Sequence, residues 1–252
     1  MSEENLNRVL ELLNTWWREE NIEEDLRARV VLIFKKGDSN NFENYRPISL
    51  VNTPYEIFAA ILQRRISRTL DRHLQKTQYG FRKGKSTSHA IHIIRRILEM
   101  GERANKTFYM LVLDWEKAFD KVDREEMFNA MERMEADPKL ISLVRTLYKS
   151  TKFKVEIDGR ASDWQTQHTG IRQGCPLSPH LLFIVMTALF HDVHKQLDNT
   201  FSQHRVPGAD FDEATYADDT ICISTDTRTI NRFIKEIEEG STYGMKLSKA
   251  KC

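Results

Sequence analysis

Acidic residues stand at two places where an apolar stretch of the sequence ends. Asp114 follows the apolar run 111–113, and Asp218 and Asp219 lie between two short apolar stretches. Adjacent buried acids on a tight turn repel each other unless a cation compensates them. Two divalent ions about 3.5–4 Å apart would do so and would also catalyse phosphoryl transfer. These carboxylates therefore predict a metal site, although an isolated Asp-Asp pair is more typical of a solvated turn.

The elements that position these acids follow from the spacing of the apolar residues. Short apolar stretches predict strands over 29–34, 108–113, 153–157 and 164–167, with two more inside 214–224. Helical spacing and end signals predict helices over 4–20, 55–74, 86–101, 123–135, from Asp137-Pro138 onward, over 179–197 and over 225–243. Gly101 and Gly244 are the expected ends of two of these helices. Strands that alternate with helices indicate an α+β fold.

The composition limits the class of protein. The 252 residues are 30% charged with a net charge of only +1, so any surface for nucleic acid must be local. Cys175, Cys222 and Cys252 lack C-x-x-C spacing, which indicates neither a zinc site nor a disulfide framework. No apolar run approaches the roughly 20 residues of a membrane span, and the polar start is unlike a signal peptide. An intracellular protein, nuclear or cytoplasmic and not secreted, is expected.

An ordered series of motifs resembles the reverse transcriptase family. Tyr216-Ala217-Asp218-Asp219 resembles the Tyr-x-Asp-Asp signature, and residues 113–120 resemble the first catalytic motif. Residues 170–179 resemble the Gln-Gly-x-x-Leu-Ser-Pro segment that precedes the palm helix. Residues 44–50 and 78–82 resemble fingers motifs, in the form found in non-LTR (LINE-type) retrotransposon enzymes.

The resemblance implies a right-hand polymerase fold with fingers and palm, in which an antiparallel palm sheet is backed by helices. It implies a single domain over residues 1–252, with about 1–108 mainly fingers and about 109–252 mainly palm. A fingers excursion is expected near 137–170. Because the chain stops at Cys252, the thumb is expected to be absent. Because the fingers motifs begin near residue 30, no endonuclease segment is expected upstream, and the chain is expected to be a fragment of a retrotransposon polyprotein.

The resemblance also implies an RNA-directed DNA polymerase. Its partners would be an RNA template, a DNA primer and deoxynucleoside triphosphates, and its cofactors two Mg²⁺ or Mn²⁺ ions. Asp114, Asp218 and Asp219 would hold the metal ions. Lys251, or else the neighbouring Lys249, would protonate the leaving pyrophosphate as a general acid.

Further residues match positions that bind substrate in the family. Arg46 and one of Lys35 or Lys36 would hold the incoming triphosphate, since a guanidinium beside an ammonium suits a polyanion. The Phe119 ring would occupy the volume that a ribose 2′-hydroxyl needs, so that deoxynucleotides are selected. A solvated basic loop and an ordinary core phenylalanine are the competing interpretations.

The remaining matches concern the nucleotide sugar and the nucleic acid. Gln173 would lie beside the incoming sugar and base, and Gly174 would let the backbone approach the nucleotide, although a plain turn explains both. An aromatic among cations suits template binding, while a packing anchor with solvent-facing cations is the alternative. The nucleic-acid contacts implied by the resemblance are Gln78, Phe81, Arg82, Lys85 and Tyr216.

Two other functions compete with the polymerase. The chain would be a nucleic-acid-binding remnant without activity if the missing thumb removed its grip on the duplex. An RNA-dependent RNA polymerase shares paired acids on a palm, but it would need a smaller or polar residue in place of Phe119.

Overall fold

The computed structural model describes residues 2–22, 26–197, 203–206, 209, 211–239, 242–248 and 252. The chain divides into two compact units. The first unit comprises Met1–Asp71 and Met131–Ser178, and the second comprises Arg72–Ala130 and Pro179–Cys252. Residues 72–104, expected in the mainly fingers segment, therefore group with the part of the chain that carries Asp114.

Strands and helices alternate along the chain. The strands are β1 (Ala28–Phe34), β2 (Tyr45–Leu50), β3 (Tyr109–Leu113), β4 (Lys152–Ile157), β5 (Arg160–Ala161), β6 (Gln165–Thr166), β7 (Glu213–Tyr216) and β8 (Asp219–Ser224). The helices are α1 (Glu3–Glu19), α2 (Thr53–Leu70), α3 (Thr87–Ala104), α4 (Ala118–Lys121), α5 (Arg124–Arg133), α6 (Pro138–Tyr148), α7 (Ser178–Gln196) and α8 (Thr227–Glu239). Within the described ranges, no helix is long and apolar enough to cross a membrane.

Side-chain caps fix several helix starts where the sequence predicts them. Ser2 accepts a hydrogen bond from the Asn5 amide at 3.3 Å, and Asp137 accepts one from the Lys139 amide at 2.8 Å with Pro138 in the first turn. The expected end of α3 at Gly101 is wrong, because the helix continues to Ala104. Gly101 serves packing instead, since a Cβ there would lie 2.8 Å from the Phe108 ring.

The first unit is built on a five-stranded sheet with the strand order β2-β1-β4-β5, to which β6 adds by pairing with β4. β1 runs parallel to β4 and antiparallel to β2. The sequence analysis predicts no strand at β2, which contains Pro47. Proline lacks the amide donor that an inner strand needs, but β2 lies at the edge of this sheet, where that donor is dispensable.

The second unit contains the three-stranded antiparallel sheet β3-β8-β7. Ile97 of α3 packs with Ile223 of β8 in an apolar cluster. Residues 181–190 of α7 are all buried, and Phe190 stacks on Phe233 of α8 with ring centroids 6.0 Å apart. An antiparallel sheet backed by helices confirms the α+β prediction.

Candidate active site

The acids predicted to bind metal lie at one end of the β3-β8-β7 sheet. β7 and β8 pair as far as Tyr216 opposite Asp219, so Ala217 and Asp218 form a two-residue turn. β3 pairs with β8 as far as Leu113 opposite Thr220, and extending this register by one residue places Asp114 opposite Asp219. Neighbouring strands lie about 4.7–4.9 Å apart. The backbone register alone therefore brings three carboxylates to the same end of one sheet.

The exposure of these acids differs from the expectation of a buried pair. Asp219 is exposed, whereas Asp114 and Asp218 are half-buried. Accessible carboxylate oxygens are the donors that hard divalent cations such as Mg²⁺ and Mn²⁺ prefer, and the residues present therefore fit such ions.

The segment after Asp114 is held by the C-terminal part of the chain. The Asp114 carbonyl accepts a hydrogen bond from the Ser248 amide at 2.8 Å, and the Glu116 amide donates to the Lys246 carbonyl at 2.8 Å. The Lys121 ammonium lies 2.8 Å from the Glu116 carboxylate and, by donating to it, lowers the pKa of Glu116.

Phe119, which was predicted to exclude a ribose 2′-hydroxyl, is half-buried in the four-residue helix α4.

Gln78 lies in the interior of the second unit, with only 2% of its surface exposed. Its side-chain oxygen accepts hydrogen bonds from the amides of Gly80 at 2.8 Å and Ala217 at 3.1 Å, and its side-chain nitrogen donates to the Ala217 carbonyl at 3.2 Å. The Gln78 side-chain amide, which was expected to contact template, thus contacts the backbone of the turn that carries Asp218.

The other residues predicted to bind template differ in how much they expose. Phe81 is 60% exposed, and its ring centroid lies 6.2 Å from that of Phe183. Arg82 donates through Nη1 to the carbonyls of Gln75 at 2.7 Å and Gln78 at 3.4 Å. Lys85 donates to the Lys76 carbonyl and lies 4.8 Å from the centroid of the Tyr79 ring. Both cations therefore stabilise their own loop, and Phe81 presents the open surface.

Tyr216 is the last residue of β7 and is half-buried beside the turn. Lys251, the predicted general acid, lies outside the described residues, as does the alternative Lys249.

Apart from Phe119, the residues predicted to bind the nucleotide lie in the first unit, around the β1–β2 hairpin. Lys35, Lys36 and Arg46 are exposed, and Arg46 lies opposite Ile33 in the strand register. The Gln173 carbonyl accepts a hydrogen bond from the Ser49 amide of β2 at 2.7 Å.

Gly174 has a φ of 104°, and a Cβ there would lie 2.9 Å from the Ser49 carbonyl oxygen. Gly174 was expected to let the backbone approach the nucleotide closely. In the structure, it lies close to the backbone of β2 in the same unit.

A second polar cluster, at the start of β7, was missed by sequence reasoning. In the described part of the chain, one group of three metal-ligand-type side chains has its atoms within 4.8 Å of one another: His194, Asp212 and Glu213. His194 Nε2 lies 2.8 Å from Glu213, and Arg205 donates to both oxygens of Asp212 at 2.7 Å. The two acids are therefore already paired with cationic or hydrogen-bonding partners. The Asp212-Glu213 pair before a strand was the available signal.

The fold is shared with solved telomerase structures. One of them is the structure of telomerase from Candida tropicalis in complex with the TWJ fragment of telomeric RNA. The match covers 98% of this chain and 44% of the telomerase chain, with a TM-score of 0.64 and 14% sequence identity. At that identity the likeness establishes the fold of the chain.

Residues 33–252 match the family model described as reverse transcriptase (RNA-dependent DNA polymerase). The chain belongs to this family, whose members generally use divalent metal ions.

The "Transposon TX1 uncharacterized 149 kDa protein" of Xenopus laevis is 29% identical over 206 residues, which are 82% of this chain and 16% of that protein. The "RNA-directed DNA polymerase from mobile element jockey" of Drosophila funebris is 26% identical over 242 residues, which cover 89% of this chain and 25% of that protein. The predicted non-LTR retrotransposon type is confirmed, and the chain spans a quarter or less of these relatives.

Proposed function

We propose that this chain carries the polymerase centre of an RNA-directed DNA polymerase. It would add deoxynucleotides to the 3′-hydroxyl of a DNA primer on an RNA template. The observation that carries the proposal is the convergence of Asp114, Asp218 and Asp219 at one end of an antiparallel sheet, in a chain of the reverse transcriptase family.

The three carboxylates of the second unit would bind the metal ions that phosphoryl transfer needs. Asp114 and Asp218 would be the principal ligands for two Mg²⁺ or Mn²⁺ ions, with Asp219 as the third acid. When bound, such ions activate the attacking hydroxyl and neutralise charge on the transferring phosphoryl group. The primer oxygen forms a bond to the α-phosphorus while the bond to pyrophosphate breaks.

Other residues select and hold the substrates. Arg46, with Lys35 or Lys36, binds the triphosphate through charge-assisted hydrogen bonds. Phe119 excludes a ribose 2′-hydroxyl, and Gln173 lies beside the incoming sugar and base, where its carbonyl also accepts a hydrogen bond from the Ser49 amide. The exposed Phe81 ring offers a stacking surface for template bases, with Tyr216 beside the turn.

We assign the first unit mainly to the fingers and the second unit mainly to the palm. Lys251 is assigned the protonation of the leaving pyrophosphate.

Primer extension tests the proposal. The chain is incubated with an oligonucleotide-primed RNA template, deoxynucleotides and Mg²⁺ or Mn²⁺, beside the variants Asp218→Asn and Asp158→Asn. Asp158 is an exposed turn residue of the first unit with a φ of 49°, a conformation that asparagine tolerates, so it is a matched control.

Extension by the chain and by Asp158→Asn, with loss in Asp218→Asn, is the expected result. Full activity of Asp218→Asn would refute the site. Salt-sensitive template binding without extension by any of the three, all folded, would instead favour the nucleic-acid-binding remnant.

A further inference from the structure

The turn that carries Asp218 is fixed by a side chain from a distant segment. Gln78 makes hydrogen bonds to both backbone polar groups of Ala217, the residue directly before Asp218. Its side-chain oxygen accepts a further bond from the Gly80 amide. The buried Gln78 side chain therefore contacts the turn and its own loop at once.

The backbone around Gln78 is joined to β7 as well. The Tyr79 amide donates to the Thr215 carbonyl at 2.8 Å, and the Thr215 amide donates to the Thr77 carbonyl at 2.9 Å. Gln78 and Thr215 form an isolated parallel bridge. Residues 77–79 thus extend the sheet by a short pairing along β7.

Gly80 allows this close approach. A Cβ on Gly80 would lie 2.4 Å from the Ala217 amide nitrogen and 3.0 Å from its Cα, so any other residue would push the turn away. The Gly80 position is a second, independent sign that this loop is built against Ala217.

Ala217 needs such support. It is buried and has a φ of 58°, the left-handed region that residues with a Cβ occupy at a cost in free energy. A conformation of this kind persists when its surroundings fix it. The direction in which the adjacent Asp218 leaves the turn depends on it.

We propose that Gln78 is a positioning residue of the polymerase centre, which fixes Ala217 and thereby the orientation of Asp218 toward metal. The role rests on the proposed function. It replaces a template contact for this residue, because the Gln78 amide is buried and engaged with protein backbone.

Variants of the loop test this role in the 252-residue chain. Gln78→Met keeps the length of the side chain and removes its three hydrogen bonds, and Gln78→Glu keeps the acceptors but cannot donate to the Ala217 carbonyl when ionised. Gln75→Met is the matched control, because Gln75 belongs to the same segment but donates to the Glu213 side chain at the opposite end of β7.

Mn²⁺ affinity, measured by electron paramagnetic resonance of free Mn²⁺, is the first measurement. Residues that orient metal ligands typically contribute 10–100-fold to affinity or activity. We expect Gln78→Met and Gln78→Glu to weaken Mn²⁺ binding about tenfold or more and to lower kcat with little change in KM for deoxynucleotide. Gln75→Met should leave Mn²⁺ affinity and kcat unchanged. Equal Mn²⁺ affinity and kcat in Gln78→Met and Gln75→Met, or a loss confined to template affinity, would overturn the role.

Amide hydrogen exchange at Ala217 separates this role from the proposed function. Faster exchange is expected in Gln78→Met than in the parent chain. Unchanged exchange would show that Gln78 does not fix Ala217, whatever the polymerase activity of the variant. If exchange accelerates but the parent chain neither binds Mn²⁺ nor extends a primer, the proposed function fails, and the positioning of Asp218 toward metal fails with it. The hydrogen bonds from Gln78 to Ala217 would then serve the structure alone.

Discussion

Two hairpins of the molecule, each predicted to carry functional residues, have tips that are held in different ways. The β1–β2 hairpin of the first unit has an exposed loop, and its loop bonds come from its own residues: the Lys35 amide donates to the Asn44 carbonyl at 2.8 Å, and Asn44 Nδ2 donates to the Asp38 carbonyl at 2.9 Å. The β7–β8 hairpin of the second unit turns in two residues, and Gln78, 139 positions before Ala217, holds it.

The difference matches what each hairpin would bind. A lysine or arginine binds phosphate over a range of positions because its side chain is long and carries several donors. Carboxylate ligands must meet a metal ion within a few tenths of an ångström, so their backbone has to be fixed. The turn before Asp218 is therefore fixed by a contact from a distant segment, whereas the loop that carries Lys35 and Lys36 is held by contacts between its own residues.

The largest expected effect comes from two glycines that share a φ of 76°, one in each unit. A Cβ on Gly244 of the second unit would lie 2.1 Å from the Lys121 carbonyl, whereas a Cβ on Gly159 of the first unit would meet nothing within 4 Å. Strain and overpacking together predict that Gly244→Ala lowers the free energy of unfolding by about 3–5 kcal/mol. Gly159→Ala should cost about 1–2 kcal/mol, from strain alone. Denaturant unfolding checks both values, and equal losses would break the comparison.

The next effect concerns the size of Phe119. Phe119→Ala should reduce the discrimination between deoxynucleotide and ribonucleotide by about 10–200-fold, the range for filling or emptying a small volume in a pocket. The ratio of kcat/KM for the two nucleotides measures it. Phe119→Tyr keeps the ring and should keep the discrimination. An unchanged ratio in Phe119→Ala would reduce Phe119 to a packing residue of α4.

A somewhat smaller effect is expected at Arg46. Hydrogen bonds to charged groups contribute about 1.5–3 kcal/mol, so Arg46→Ala should raise KM for deoxynucleotide by about 10–100-fold. Arg29→Ala is the control, because Arg29 is an exposed arginine at the other end of the same pair of strands, 3.6 Å from Glu156. Equal KM values for the two variants would show that Arg46 of the β1–β2 hairpin does not bind the nucleotide.

The smallest effect is a pH dependence at the start of β7. Burial lowers the pKa of His194, but the hydrogen bond to Glu213 and the charges of Glu213 and Asp212 outweigh burial and Arg205, so the pKa is raised above 6.5. The protonated form stabilises the fold, and this stabilisation is lost as pH rises through the folded pKa. Thermal unfolding from pH 6 to 8 should therefore show a slope that His194→Gln removes. An identical slope in the variant would contradict the assignment.

Local signals predicted much of this structure from sequence. The caps Ser2 and Asp137 and the strand–turn–strand pattern around Asp218 depend on neighbouring residues, and each lies where it was expected. Asp114 was placed correctly at a strand end for the same reason.

Long-range packing could not be predicted in the same way. The burial of Gln78 depends on Ala217, and the role of Gly101 depends on the Phe108 ring beyond the helix end. The parallel pairing of β1 with β4 joins segments more than 100 residues apart, and no local pattern encodes it. Exposure of Asp219 was also misjudged, since a sequence pattern cannot show how much of a turn the neighbouring segments cover.

We expect the acids at the β7–β8 turn, and not the acids at the start of β7, to bind divalent metal. Mn²⁺ titration of the chain, of Asp218→Asn and of Glu213→Gln tests this expectation directly, with thermal unfolding to show that each variant is folded. We predict that Asp218→Asn loses Mn²⁺ binding and that Glu213→Gln retains it. Retained binding in Asp218→Asn with loss in Glu213→Gln would place the metal at the His194, Asp212 and Glu213 cluster and contradict the account.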